Sequence, residues 1–139
     1  EGIMDCAALT TLHQFFCEKI KLYFSRLILN KDENPVIFQI KEYLHQNYAV
    51  PSLSVPDISE HVHLSPAYVC TLFKNETGQT LNQYLTDYRI KMSKQFLSDP
   101  LYKITDISAK VGYSDGNYYS KAFRKIVGLS PSEYREKML

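Results

Sequence analysis

Two stretches of this chain repeat one pattern, and the repeat constrains the fold more than any other feature. Residues 57–84 read DISEHVHLSPAYVCTLFKNETGQTLNQY, and residues 106–134 read DISAKVGYSDGNYYSKAFRKIVGLSPSEY. Asp57, Ile58, Ser59, Val62 and Ser65 return as Asp106, Ile107, Ser108, Val111 and Ser114, a shift of 49. After one extra residue in the second copy, Tyr68, Phe73, Lys74, Gly78 and Tyr84 return as Tyr118, Phe123, Arg124, Gly128 and Tyr134, a shift of 50. Each copy has the punctuation of a short helix, a tight turn and a longer helix. That is a helix-turn-helix, whose second helix can enter the major groove of DNA. No segment shows the sustained alternation of a strand. The predicted fold class is therefore all-α: two helix-turn-helix subdomains joined by a long helix, preceded by an extra N-terminal helix.

Most of the repeated letters describe a scaffold. Ile58, Val62, Leu64, Val69, Leu72 and Phe73 have the spacing to pack two helices across a turn, and Ile107, Val111, Tyr113, Tyr119, Ala122 and Phe123 match them. Ser59 and Ser108 are small enough for close helix approach. Gly112 stands where the second turn needs a positive φ, which glycine adopts at little cost. His63 holds the matching place in the first copy and fits it less well. Ser65 and Ser114 are placed to cap the second helix of each unit, and Gly78 and Gly128 to end it. Ser54 and Asp57 have capping-box spacing, which starts the first unit. The two units are thus expected at 54–78 and 103–128. Between them Leu81, Leu85, Tyr88, Met92 and Phe96 form an apolar stripe on a connecting helix over 80–97, stopped by Ser98-Asp99-Pro100. Such a helix is about 27 Å long at about 1.5 Å per residue, close to the roughly 34 Å between successive major-groove faces. Upstream, Asn34 and Pro35 open another helix with Val36, Ile37, Ile40, Leu44 and Tyr48 on its buried face.

The residues left over carry the functional signal. On the first long helix, Pro66, Ala67, Cys70, Thr71 and Lys74 point away from the apolar stripe. On the second, Gly116, Asn117, Ser120, Lys121, Arg124 and Lys125 do so. Asn pairs with adenine bidentately, Lys reaches guanine O6 and N7, and Ala and Thr methyls touch the thymine methyl. Lys74, Arg124 and Lys125 are better placed for phosphates. The second unit is therefore expected to supply more polar readout, and the first to read by apolar contact. The bland alternative for each residue is a solvated helix face.

Charge supports this only by its distribution. The formal net charge is +1, with −1 over residues 1–50 and +2 over residues 51–139. Lys121, Arg124 and Lys125 cluster on the second long helix. Cys6, Cys17 and Cys70 form no pairing pattern, which fits a reduced, cytoplasmic compartment. His13 and Cys17 lie four apart, but no third or fourth ligand is near in sequence, so neither a metal nor another cofactor is expected. No run of about twenty apolar residues predicts a membrane span. No GxSxG, HExxH or P-loop motif suggests an enzyme. A chain beginning at Glu1 rather than at a Met reads as a fragment whose upstream domain lies outside it.

At LSPAYVCTLFKNETGQTLNQYL, YRI and ITDISAKVGYSDGNYYSKAFRKIVGLSPSEYR, the chain resembles the DNA-binding domain of the AraC family of bacterial transcription regulators. The resemblance covers about residues 34–138. It implies two helix-turn-helix subdomains, seven helices, and promoter DNA bound through two successive major grooves. By position, the family's base-reading residues carry over to Ala67, Cys70 and Thr71, and to Asn117, Ser120 and Lys121. The chain departs from the family in having Ser59, Ser93 and Ser108 where Ala is usual, and Tyr113 and Tyr119 where Phe is commoner. The two tyrosine hydroxyls are therefore expected to reach water or a partner. Cys70 and Thr71 are modest readers beside the longer polar residues often found there. The version here looks most like a response-regulator output domain of the kind common in low-GC Gram-positive bacteria.

Residues 1–33 lie outside the resemblance and read as a linker or dimerisation helix. Over 4–29, Leu9, Leu12, Phe16, Ile20, Tyr23 and Leu27 are spaced 3, 4, 4, 3 and 4 apart, close to the heptad seam of two paired helices. A homodimer through residues 4–29 is the expectation, beside intramolecular packing. The competing function is a protein-interaction module that docks on RNA polymerase or another regulator.

Overall fold

The computed structural model describes residues 19–20 and 33–139. Asn34–Leu139 forms one compact unit. Within it are seven helices and, among the described residues, no strand: α1 (Pro35–Asn47), α2 (Val55–Val62), α3 (Pro66–Thr77), α4 (Leu81–Leu97), α5 (Ile104–Lys110), α6 (Gly116–Val127) and α7 (Pro131–Met138). Lys19 and Ile20 are helical. The apolar stripe over 4–29 and the His13–Cys17 pair otherwise lie outside the described residues.

Local chemistry sets the helix ends. Asn34 Oδ1 accepts from the Val36 amide at 2.9 Å, with Pro35 in the first turn where no amide donor is needed. Asp57 accepts from both the amide and the hydroxyl of Ser54, at 3.0 and 2.8 Å. Thr80 with Gln83 opens α4 and Ser130 with Glu133 opens α7, each through a reciprocal capping box offset by 50 residues. Gly78 and Gly128 end α3 and α6 in the left-handed region. His63 at φ 58° and Gly112 at φ 95° make the two inter-helix turns. A left-handed histidine is uncommon but tolerated, so the first copy keeps the turn without the glycine.

One cap differs from the sequence expectation. Ser65 caps α3 by accepting from the Tyr68 amide at 3.2 Å. In the second unit Asp115, not Ser114, caps α6, accepting from the Asn117 amide at 2.9 Å. The extra residue of the second copy falls here, so the helix starts one residue later and the cap passes to the next side chain.

The unit has two cores. Ile37, Ile40, Leu44, Ile58, Val69, Phe73, Leu81 and Leu85 make the first; Ile90, Leu97, Ile107, Val111, Tyr113, Tyr119 and Phe123 make the second. Corresponding aromatic pairs close them edge to face, Phe73 with Tyr84 at 5.4 Å and Phe123 with Tyr134 at 5.5 Å. Ser59, Ser93 and Ser108 are buried, and each donates to the carbonyl three residues before it, at 2.8, 2.7 and 3.0 Å. Their hydroxyls are thus satisfied inside their own helices, and the close packing that a small residue permits is kept.

Helix α4 serves both cores, and the expected stripe changes accordingly. Leu81 and Leu85 are buried in the first core, but Ile90, Ser93 and Leu97 are the residues buried in the second half of the helix, whereas Tyr88, Met92 and Phe96 are half-buried. The apolar face rotates along the helix because the two cores sit on different sides of it. Helix α4 packs on α3 in one half and on α5, α6 and α7 in the other; no helix among α1–α3 packs extensively on any among α5–α7.

Candidate nucleic-acid interface

Each long helix of a unit presents one face to solvent while Val69 and Phe73, or Tyr119 and Phe123, anchor the other. On α3, Ala67, Cys70, Thr71 and Lys74 are all exposed. On α6, Asn117, Lys121, Arg124 and Lys125 are exposed and Ser120 is half-buried. Ser120 is therefore less available than its position on the sequence suggested, since it leans toward the buried side of the helix.

The Thr71 hydroxyl donates back to the Ala67 carbonyl at 2.9 Å. This ties the threonine's hydroxyl proton to its own helix, and the neighbouring Cys70 carries a free, exposed thiol. The exposed face that Ala67, Cys70 and Thr71 make on α3 is consequently small and largely apolar. On α6 the carboxylate nearest in sequence, Asp115, is held at the helix start by the Asn117 amide, away from the basic residues further along.

Two open grooves adjoin these helices. One, about 360 Å³, is lined by Cys70, Thr71 and Lys74 together with Thr80, Leu81 and Asn82. The other, about 710 Å³, runs between the first half of α4 and α6 and is lined by Asn82, Thr86, Tyr118, Lys121 and Lys125 among others. The grooves meet at Asn82, so predicted readers of both units open toward one side of α4. Sequence reasoning missed Asn82 and Tyr118. Tyr118 was visible only as a repeated letter, yet it is 65% exposed, as its counterpart Tyr68 is 53% exposed. A large aromatic side chain kept in solvent at the same place in both units was the available signal.

Behind α6 the two tyrosines of the second core turn their hydroxyls inward. The hydroxyl oxygens of Tyr113 and Tyr119 are buried without a hydrogen-bond partner among the described residues. Thr86 lies beside the first and Ser93 beside the second, and each favours the ionised phenol slightly against the larger effect of burial. Burial pushes the Tyr119 phenol up to about 12, and burial likewise raises Tyr113, against the pull of the Arg89 guanidinium.

Arginines close each unit from behind. Arg89 Nε donates to the Tyr48 carbonyl at 2.8 Å and Nη2 to the Val50 carbonyl at 3.0 Å. Arg135 makes the same fork to the carbonyls of Leu97 and Asp99, both at 3.1 Å. The four acceptors are again related by 49 residues, so each unit ties its last helix to the carbonyl end of its first, where a cation is favoured. Neither role was legible in the sequence. The described residues contain no group of His, Cys, Asp or Glu arranged to hold a metal ion, and no helix among them is long and apolar enough to cross a membrane.

A family model described as a helix-turn-helix domain matches residues 58–137. The Msm operon regulatory protein of Streptococcus mutans is 34% identical over 109 residues, 78% of this chain and 39% of that protein. The transcriptional regulatory protein HptR of Staphylococcus aureus is 32% identical over 127 residues, 91% of this chain and 46% of that protein. The chain thus spans less than half the length of either relative. Among solved structures, the C-terminal domain of AraT, a response regulator from Geobacillus stearothermophilus, superposes with a TM-score of 0.72 at 28% identity, covering 75% of this chain and 86% of that one.

Proposed function

The chain belongs to the AraC-type helix-turn-helix family of transcription regulators, and from that premise we propose that it reads promoter DNA through α3 and α6 in two successive major grooves. The observation that supports this is that Asn82 of α4 lines both grooves, one beside Cys70, Thr71 and Lys74 and the other beside Lys121 and Lys125. Helix α4 has 17 residues, so it spans about 26 Å at about 1.5 Å per residue. That is a strut of suitable length to set two reading heads about one turn of DNA, roughly 34 Å, apart.

The chemistry divides between the heads. Lys121 donates to guanine O6 and N7, and Asn117 pairs with adenine, with Ser120 as a short-range contact at the edge of the helix face. Ala67, Cys70 and Thr71 offer methyl and thiol surface to thymine methyls. Lys74, Arg124 and Lys125 bind phosphates and set affinity without sequence preference. This reading assigns the domain no catalytic step and no cofactor. An exposed free thiol at Cys70 suits a reduced, cytoplasmic setting. A role as the output domain of a response regulator is supported by the likeness to the C-terminal domain of AraT.

Selection of duplexes from a random pool tests the reading. A motif with two protected segments about one turn apart is expected; a pool without enrichment would remove specific readout and leave docking on RNA polymerase or another regulator as the function. Residues 4–29 are proposed to pair two copies of the chain. Light scattering on residues 1–139 at tens of micromolar should report a dimer, and a monomer would sink that pairing.

A further inference from the structure

We infer that Arg89, held between the Tyr48 carbonyl and the Tyr113 ring, is a positioning residue that fixes the orientation of the two recognition helices relative to each other. The inference rests on the proposed two-groove reading.

Apart from α4, little connects the two halves, because none of α1–α3 packs extensively on α5–α7. Arg89 lies on α4 between Leu85, the last buried residue of the first core, and Ile90, the first of the second. Its Nε and Nη2 hold the carbonyls of Tyr48 and Val50, which follow α1. The other side of the guanidinium covers the Tyr113 ring at 5.5 Å. Tyr113 in turn packs on Tyr118 and Tyr119 of α6, at 5.8 and 5.6 Å. An unbroken set of contacts thus runs from the end of α1 to the start of the second recognition helix.

Two further observations place the mechanical joint here. The Tyr48 side chain packs against both cores. Gly112 lies against the same groups, and a Cβ there would collide with the Tyr48 carbonyl and the Arg89 side chain. The turn of the second unit is therefore seated directly on the junction. A guanidinium suits the position because its planar fork bonds two carbonyls while its face stacks on an aromatic ring. Lysine retains the charge but cannot do both.

The test measures tolerance to half-site spacing. The wild-type chain first selects its duplex from a random pool. Affinities are then measured for that duplex and for versions with one base pair inserted or removed between the two protected segments. One base pair changes the separation by about 3.4 Å and the phase by about 35°. Wild type is expected to weaken on the order of tenfold on the shifted duplexes, as for a mismatched site. Arg89→Lys and Arg89→Met should bind the selected duplex more weakly and weaken only about twofold to threefold further on shifting. They should still bind a duplex with one half-site as wild type does. A residue that only stabilised the fold would lower apparent affinity on every duplex alike and leave the ratio between spacings unchanged. An unchanged ratio in folded Arg89→Lys, checked by circular dichroism, overturns the inference even if Arg89→Met unfolds. Failure of wild type to select any two-part site would instead overturn the functional reading beneath it.

Discussion

Replacing Tyr119 by phenylalanine should make this domain more stable, although it deletes a polar group from the back of the second recognition helix. The ring is 1% exposed and its hydroxyl oxygen has no hydrogen-bond partner among the described residues. A buried, unsatisfied hydroxyl costs about 1–3 kcal/mol of lost hydration. Phenylalanine removes that cost and keeps the ring contacts with Tyr113 and Phe123. Removing one oxygen leaves only a small void, so a net gain of about 1 kcal/mol is expected at pH 7. For a domain of this size that raises the melting temperature by roughly 4–8 °C. The pH dependence sharpens the test. The phenol is pushed up to about 12 in the folded chain, chiefly by burial, against about 10 when unfolded. Because the folded value is the higher one, stability is fully present below about pH 10 and is lost as pH climbs toward about 12. By pH 11 the wild type should be destabilised by about 1.4 kcal/mol through this group alone. The Tyr119→Phe variant has no such group to titrate, so its advantage over wild type should widen by the same amount between pH 7 and pH 11. Urea melts of both proteins at the two pH values measure it. A variant less stable than wild type at pH 7, or a difference that stays constant with pH, would refute the reasoning.

Lys121→Ala should weaken binding to the selected duplex and relax its preference at one or two positions, by about 1–3 kcal/mol of discrimination; equal weakening on selected and random DNA in a competition assay would reduce Lys121 to a phosphate contact. Arg124→Ala with Lys125→Ala should weaken binding to all sequences, and the slope of log affinity against log salt should become shallower by about 0.9 for each phosphate no longer neutralised. An unchanged slope would show that neither side chain touches the DNA backbone. Phe73→Ala and Phe123→Ala, each truncating a fully buried ring, should cost about 3–5 kcal/mol apiece, a large share of the roughly 5–15 kcal/mol that holds a domain together. Thermal melts within a degree or two of wild type would contradict the core assignment.

The repeat made the scaffold readable because helix caps and turns are local. Asn34, the Ser54–Asp57 box, and the glycines at 78, 112 and 128 each act within a few residues, and the structure uses all of them as the letters suggest. The cap at α6 was misplaced because a one-residue insertion moves a local signal without erasing it. The stripe on α4 was misread for a different reason. Periodicity assumes one buried face, whereas Ile90, Ser93 and Leu97 answer to a core that Leu81 and Leu85 never touch. Arg89 and Arg135 escaped because a charged residue on a helix reads as solvent-facing, and nothing near them in sequence marks the carbonyls they bind, 36 to 41 residues away. For the proposed interface, the exposure of Ala67, Cys70, Thr71, Asn117 and Lys121 followed from subtracting the scaffold residues. The half-burial of Ser120 did not, since it depends on how closely α6 sits on its neighbours.

Sharing α4 between two cores restricts how such a domain can change. One residue inserted between Leu85 and Ile90 would advance the second half by about 1.5 Å but swing it by about 100° around the helix axis. That would swing the whole second core round with Ile90, Ser93 and Leu97, break the junction of Arg89 and Gly112 with the end of α1, and turn α6 away from the groove. Even four inserted residues leave an error of about 40° and a displacement of about 6 Å. DNA, by contrast, rotates only about 35° per base pair. The two periods do not match, so length changes in the strut cannot follow length changes in an operator. New binding sites are therefore reached by exchanging side chains on α3 and α6, while the distance between the heads stays as it is.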